Sequence, residues 1–188
     1  MVSEVSEAAP AWPRGPTAVV TEVAAASLDQ VWAAFVPVDL AQVFPRPKGP
    51  IPAVTGVSGQ TGPWDVVGSA RHVHLADGSR VREEILASTP CDGAAPSGGA
   101  ARFAYRVAGF TGPLAALTDA AHGEWRFVAD GPARTKITWR YTFAPRGWWV
   151  RPALALLVAT FWRAYMADGL ENVRRLAEGA RAPVRPQS

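Results

Sequence analysis

The 188-residue chain has one cysteine, Cys91, only three histidines, and no dense run of lysine or arginine. A lone cysteine excludes an intrachain disulfide and a thiolate metal cluster, and it suits a reducing cytoplasm. A net charge of +3 without a basic run gives nucleic-acid binding no electrostatic footing. There is no Gly-x-Ser-x-Gly elbow, and Cys91 borders a Gly-rich loop with no histidine placed beside it, so nucleophilic catalysis lacks its parts. Gly56, Gly59 and Gly62 are evenly spaced, but they lie between strand and turn with no following Lys-Ser/Thr; they read as turn residues rather than a phosphate loop. Pro152–Trp162 is apolar on every side, yet Arg163 ends it too early to span a bilayer. Residues 1–16, with Glu4, Glu7 and several prolines, read as a disordered tail rather than a signal peptide. Residues 180–188 read the same way.

What is present is apolar and rich in indole. Hydrophobic residues make up 48% and charged residues 19%, and eight tryptophans stand against three tyrosines. This is enough for one domain with a sizeable core, over residues 17–179. Thr17–Ala25 reads as a strand. Ser27 and Gln30 then form a capping box for a short helix through Val31, Trp32 and Phe35, stopped by Pro37. A second helical piece spans about Asp39–Phe44. After a Pro-rich loop the chain turns to strands: Val54–Ser58, a hairpin over about Val66–Ser88, then 102–107, 117–128 and 136–143, with period-two alternation. Residues 92–99 are a low-complexity loop, and Gly109, Gly112 and Pro113 mark another. Pro152 opens a long final helix, which Gly179 ends.

The hairpin is the most informative stretch. A two-residue turn at Asp77-Gly78 would pair Val73 with Arg82 and leave neither face apolar. A three-residue turn, Ala76-Asp77-Gly78, places Val73 opposite Val81 and Arg71 opposite Glu83, and gathers His72, His74, Arg80, Arg82 and Glu84 on a polar outer face. The alternation selects the second register, with Gly78 supplying the positive φ of the bulged turn. Arg71 and Glu83 then sit on the inner face, either as a pair orienting two strands or as the polar anchor of an apolar pocket. His72 and His74 face solvent. With no third ligand near them, a zinc site lacks its geometry.

The stretches Gly68-x-x-Arg71, Asp77-Gly78 and Glu83-x-Ile85-Leu86, the strand Phe103–Val107, and Thr135–Phe143 followed by the long helix together resemble the START-like (SRPBCC, polyketide cyclase/dehydrase-like) superfamily. The resemblance implies an α+β helix-grip fold: a seven-stranded curved antiparallel sheet wrapped around a long C-terminal helix, with two short helices after the first strand. It also implies a cavity that receives a hydrophobic small molecule, polyketide-like, aromatic or lipid, without a cofactor. Arg71 and Glu83 match recurring positions of that pattern, and no universal catalytic set carries over. The aromatics expected inside are Tyr105, Trp125, Trp139, Tyr141 and Phe143 from strands and Phe161 and Tyr165 from the helix. They make either an ordinary core or a cavity lining.

Three functions follow as expectations. The first is binding of a hydrophobic ligand by Arg71, Glu83, Tyr105, Trp125, Trp139, Tyr141, Phe161 and Tyr165. The second is a cofactor-free cyclisation or dehydration with Glu83 and Arg71 as catalytic residues; Asp119, His122 and Asp168 join the acid/base candidates if they face the cavity. The third is a peripheral membrane or partner-binding surface over residues 148–163, where Trp148-Trp149-Val150-Arg151 has an interfacial pattern. Trp148 and Trp149 are expected to plug the cavity rim; if they prove exposed, a dimer interface or a membrane contact would account for them.

Overall fold

The computed structural model describes residues 12–90 and 99–179; Cys91, residues 92–98 of the Gly-rich loop, residues 1–11 of the tail expected over 1–16, and 180–188 lie outside the described residues. Residues 12–16 of that expected tail lie instead against the sheet, the Phe143 N–H donating to the Pro16 carbonyl at 3.0 Å and Trp12 meeting His122. Seven strands form one antiparallel sheet: β1 Thr17–Ala24, β2 Val54–Ser58, β3 Ala70–Leu75, β4 Arg80–Thr89, β5 Ala100–Ala108, β6 Thr118–Ala129 and β7 Thr135–Pro145. Their spatial order is β1-β7-β6-β5-β4-β3-β2. Sequential strands joined by short loops pair with their neighbours in series. The connection from β1 to β2 is the one long crossing, and it carries two helices, α1 (Leu28–Phe35) and α2 (Leu40–Val43).

Local chemistry accounts for both helices. Ser27 caps α1 through Gln30, whose side chain accepts from the Ser27 backbone N–H at 3.0 Å, and Leu28, Val31 and Phe35 form its buried face. The Asp39 side chain accepts from Ala41 N–H at 2.9 Å to start α2. A short helix, α3 (Gly112–Leu117), lies where the sequence reading has a loop. Pro113 sits in its first turn, where its missing N–H costs nothing, and Leu114 and Leu117, one turn apart, pack on the core.

The final helix begins with a 3-10 turn, Trp148–Val150, and runs through α4 (Arg151–Leu157), a π turn (Val158–Trp162) and α5 (Arg163–Gly179). Its inward residues Leu154, Val158, Trp162, Met166 and Leu170 recur every fourth position and are all buried. In a pure α-helix each such step overshoots by about 40°; the wider π turn takes back part of that drift and holds the row on one face. The phase has a consequence for one expected lining residue. Phe161 lies outside, 38% exposed, with its ring where a Cβ on Gly49 would stand, and Trp162 takes the inward place.

Side chains tie the helix to the crossing. Asn172 Nδ2 donates to the Val43 carbonyl at 2.9 Å, Lys48 Nζ meets Asp168 Oδ2 at 2.7 Å, and Ala25 N–H donates to Glu178 Oε1 at 2.9 Å. The helix from Trp148 to Gly179 is long and apolar enough to cross a membrane, its most apolar window having a mean hydropathy of 1.2. Its inner face is occupied by the sheet.

Candidate ligand cavity

The β3–β4 hairpin has the three-residue register. Arg71 pairs with Glu83, His72 with Arg82, Val73 with Val81 and His74 with Arg80. Gly78 has φ +82° and donates its N–H to the Leu75 carbonyl at 3.0 Å, the left-handed bulge position that glycine fills without strain. On the inner face Arg71 Nε donates to Glu83 Oε2 at 2.9 Å, with the two side chains only 6% and 12% exposed. The guanidinium also lies 3.8 Å from the centre of the Trp64 ring, a cation–π contact in a desolvated setting. Trp64 ends a Gly-rich turn and carries no periodic signal; a lone large aromatic in such a turn is the cue that could have marked it as buried.

The sheet, α2, α3 and the final helix enclose a cavity of about 260 Å³. Tyr105, Trp139 and Tyr141 line it from the strands, and Leu157, Trp162 and Tyr165 from the helix. Its mouth is bounded by Pro50–Pro52, the exposed β3–β4 turn with Asp77 and Ser79, and Phe110–Leu114. Glu83 also borders a smaller space of about 50 Å³ lined by Arg71, Trp64, Phe103 and Trp125. Glu83, Tyr105, Trp139, Leu40 and Phe44 line both spaces, so the ion pair stands where the larger cavity narrows.

The aromatic wall is built by stacked pairs, one across two strands and one between the crossing and the final helix. Trp125 and Trp139 stack with centroids 4.4 Å apart, and Phe44 stacks on Tyr165 at 4.5 Å. Opposite Tyr105 the register places Gly123, and the tyrosine ring fills the space a Cβ there would need. Phe143, expected among the inward aromatics, is fully buried against Trp162, with centroids 4.9 Å apart.

Electrostatics follow from burial. Loss of water pushes the Glu83 carboxyl above its usual range, and the Arg71 charge and hydrogen bond pull against it. Burial, and then the neighbouring Glu83, raises Tyr105 and Tyr165; Tyr141 is raised by burial, then by Tyr105, Glu83 and Tyr165. All three phenols therefore remain hydroxyls. Tyr165 Oη donates to the Pro52 carbonyl at 3.4 Å. Trp162 Nε1 is buried without a hydrogen-bond partner among the described residues.

The remaining acid/base candidates lie elsewhere. Asp119 meets Arg146 at 2.9 Å and Asp168 meets Lys48. His122 is on the outer face, edge-on to Trp12 with centroids 5.7 Å apart, because it alternates with inward Ala121 and Gly123. His74 Nε2 lies 2.6 Å from Ser58 Oγ, also outside. Trp148 and Trp149 do not plug the rim: on the 3-10 turn before α4 they are 80% and 65% exposed, and neither lines the cavity. From this part of the helix, Leu157 and Trp162 line the cavity instead.

A family model described as polyketide cyclase/dehydrase and lipid transport matches residues 16–178. No match was found among curated proteins. Among solved structures, a point mutant of Thalictrum flavum norcoclaurine synthase in complex with a transition-state analogue is 14% identical, with TM-score 0.61, covering 88% of this chain and 97% of that one. The Zhui aromatase/cyclase from Streptomyces sp. R1128 is 18% identical, with TM-score 0.55, covering 86% and 93%. A major latex-like protein from Panax ginseng is 17% identical, with TM-score 0.53, covering 90% and 100%. At such identities these likenesses show the fold, the helix-grip architecture expected from the sequence.

Proposed function

Because the chain belongs to the polyketide cyclase/dehydrase and lipid transport family of the START-like superfamily, we propose that it binds a hydrophobic small molecule with one polar end in the cavity under the final helix. The observation that carries this reading is the placement of Glu83, a buried carboxyl held by Arg71 where an otherwise largely aromatic and aliphatic cavity narrows. Such a site takes most of its affinity from apolar contact and its orientation from a few polar groups. Tyr105, Trp139, Tyr141 and Tyr165 would supply the contact area, and Trp125 would line the inner end. Glu83 and Arg71 would orient the polar group. The unpartnered Trp162 N–H would take a ligand acceptor, since a buried donor is costly to leave unmatched. A cytoplasmic location fits this reading and the lone cysteine.

The test is binding of a neutral apolar fluorophore, N-phenyl-1-naphthylamine, combined with mass spectrometry of an organic extract of the native protein. Val81→Phe, which fills the cavity from the β4 side, should weaken fluorophore binding by about tenfold or more while leaving unfolding cooperative. Undiminished binding would place the ligand elsewhere.

A second reading is favoured by the raised Glu83 carboxyl. Loss of water from a β-hydroxy carbonyl removes one proton from the α carbon and delivers one to the departing hydroxyl. One carboxyl can perform both transfers, as carboxylate and then as acid. In a cofactor-free cyclisation/dehydration of a polyketide-like or aromatic substrate, Glu83 would be the catalytic group and Arg71 the residue positioning it. Glu83→Gln would then abolish turnover with fluorophore binding retained; turnover surviving in that variant would rule the role out.

A further inference from the structure

The helix that closes the cavity turns an unoccupied apolar face outward. Trp148 and Trp149 stand at its start with their rings edge to face, centroids 6.2 Å apart and 80% and 65% exposed. The face continues through exposed Pro152, Ala153, Leu156 and Phe161, residues that recur at helical spacing. Leu156 is 64% exposed, and α3, an uncharged stretch of Gly-Pro-Leu-Ala-Ala-Leu, is adjacent to α4 and the cavity mouth. Single exposed apolar side chains need no explanation, but a contiguous set of this size does.

Charge says what covers it. From Ala144 to Ala167 there is no acidic residue, while Arg146, Arg151 and Arg163 are all exposed. Arg14 and Arg151 also flank Trp148 in an open groove of about 370 Å³ lined further by Pro13, Pro145 and Gly147. Asp168, which follows this stretch, is paired with Lys48, and Asp119 with Arg146. A second copy seated here would set arginines against arginines across a two-fold axis, because a symmetric interface apposes like patches. An anionic surface complements the patch instead. Indoles at the water–lipid boundary, aliphatic side chains below them and arginines meeting phosphates are the parts of an interfacial helix.

We propose that the outer face of Trp148–Arg163 docks on membranes containing anionic phospholipids, with Trp148, Trp149, Leu156 and Phe161 entering the headgroup region and Arg14, Arg151 and Arg163 meeting lipid phosphates. The helix lies flat on such a surface. Crossing the bilayer would strip Leu154, Val158, Trp162 and Met166 from the sheet, where each is buried. In this pose α3, which packs beside α4 and borders the cavity mouth, sets that mouth beside the lipid. The proposal does not depend on the cavity being a ligand site.

The test is co-sedimentation of the full chain with vesicles of phosphatidylcholine alone and of phosphatidylcholine mixed with phosphatidylserine. Binding to the mixed vesicles should be at least about tenfold tighter than to neutral ones and should weaken as salt is raised. Trp148→Ala/Trp149→Ala and, separately, Arg151→Ser/Arg163→Ser should each weaken it by about tenfold or more, with the thermal midpoint unchanged because these side chains are exposed. Binding to neither vesicle, or equal binding to both, overturns the proposal. So does wild-type dimerisation that Trp148→Ala/Trp149→Ala abolishes without any vesicle binding, since the face then belongs to a second copy. Retention in the membrane at high salt and alkaline pH would mean a spanning helix and would overturn it as well.

Discussion

Arg71 and Glu83 face each other across β3 and β4 at 2.9 Å, and the guanidinium is sandwiched onto Trp64 at 3.8 Å. Taking two charges out of water is costly, and their attraction offsets this only while both are present. Arg71→Met should therefore lower the unfolding free energy by about 3 kcal/mol, because it strands a buried carboxyl. Adding Glu83→Leu should recover most of that loss, as measured by urea denaturation of the wild type and the variants. A double variant no more stable than Arg71→Met would mean that the pair's burial penalty is smaller than argued.

The same carboxyl should make stability depend on pH. Its native pKa lies above the unfolded value of about 4.5, so between those two values the native state holds a proton that the unfolded chain has released. Stability is then highest below the unfolded value, falls as pH rises through this window and levels off above the native pKa. Glu83→Gln should remove this component. Thermal midpoints measured from acid to neutral pH in both proteins would show it as a difference curve with a negative slope.

Gly123→Ala should be destabilising by about 1–3 kcal/mol, the range for overpacking a filled interior. A Cβ at Gly123 would overlap Cζ of Tyr105, so the ring must leave its place over the β6 backbone. In a Tyr105→Ser background the penalty should vanish. A double-mutant cycle by chemical denaturation measures the coupling, and additive effects would show that the ring moves freely.

The π turn predicts an asymmetry between adjacent aromatics. Trp162→Ala should cost about 3–5 kcal/mol and enlarge the cavity, as for other buried aromatics, whereas Phe161→Ala, at a 38% exposed position, should cost about 1 kcal/mol or less. Calorimetric unfolding of the two variants distinguishes the observed phase from an uninterrupted α-helix, which would bring their losses together.

His122 should contribute a second, opposite pH effect. Desolvation, and then the Arg106 charge, lowers its native pKa below the usual histidine value of about 6.5. The stability linked to its neutral form is present above the unfolded value and is lost as pH falls through the native one. His122→Phe should flatten that acid-side loss, read by thermal unfolding across mildly acidic pH.

The hairpin register and the inward placement of Tyr105, Trp125, Trp139 and Tyr141 were legible because a strand alternates with period two. A slip by one residue would have turned Val73 and Val81 to opposite faces. The capping box at Ser27 and Gln30 was legible for a similar local reason, since its partners are three residues apart. Less local features were not. The signal for α3, Pro113 followed by Leu-Ala-Ala-Leu, was present but masked by the adjacent glycine. An α-helical period carried unchanged through the π turn puts Phe161 inward, and the wider turn rotates it out.

By itself, the sequence determined which residues share a strand face and that Arg71 would meet Glu83. Both follow from backbone geometry that repeats every second residue. Only the tertiary structure decided that this pair stands where a cavity narrows, that Trp64 covers it, and that Trp162 rather than Phe161 faces it. It also left Trp148 and Trp149 in the open rather than in the rim. Those outcomes depend on how far a curved sheet stands from the helix it holds and on a local change of helical pitch, and neither quantity is written in the spacing of residues along one element.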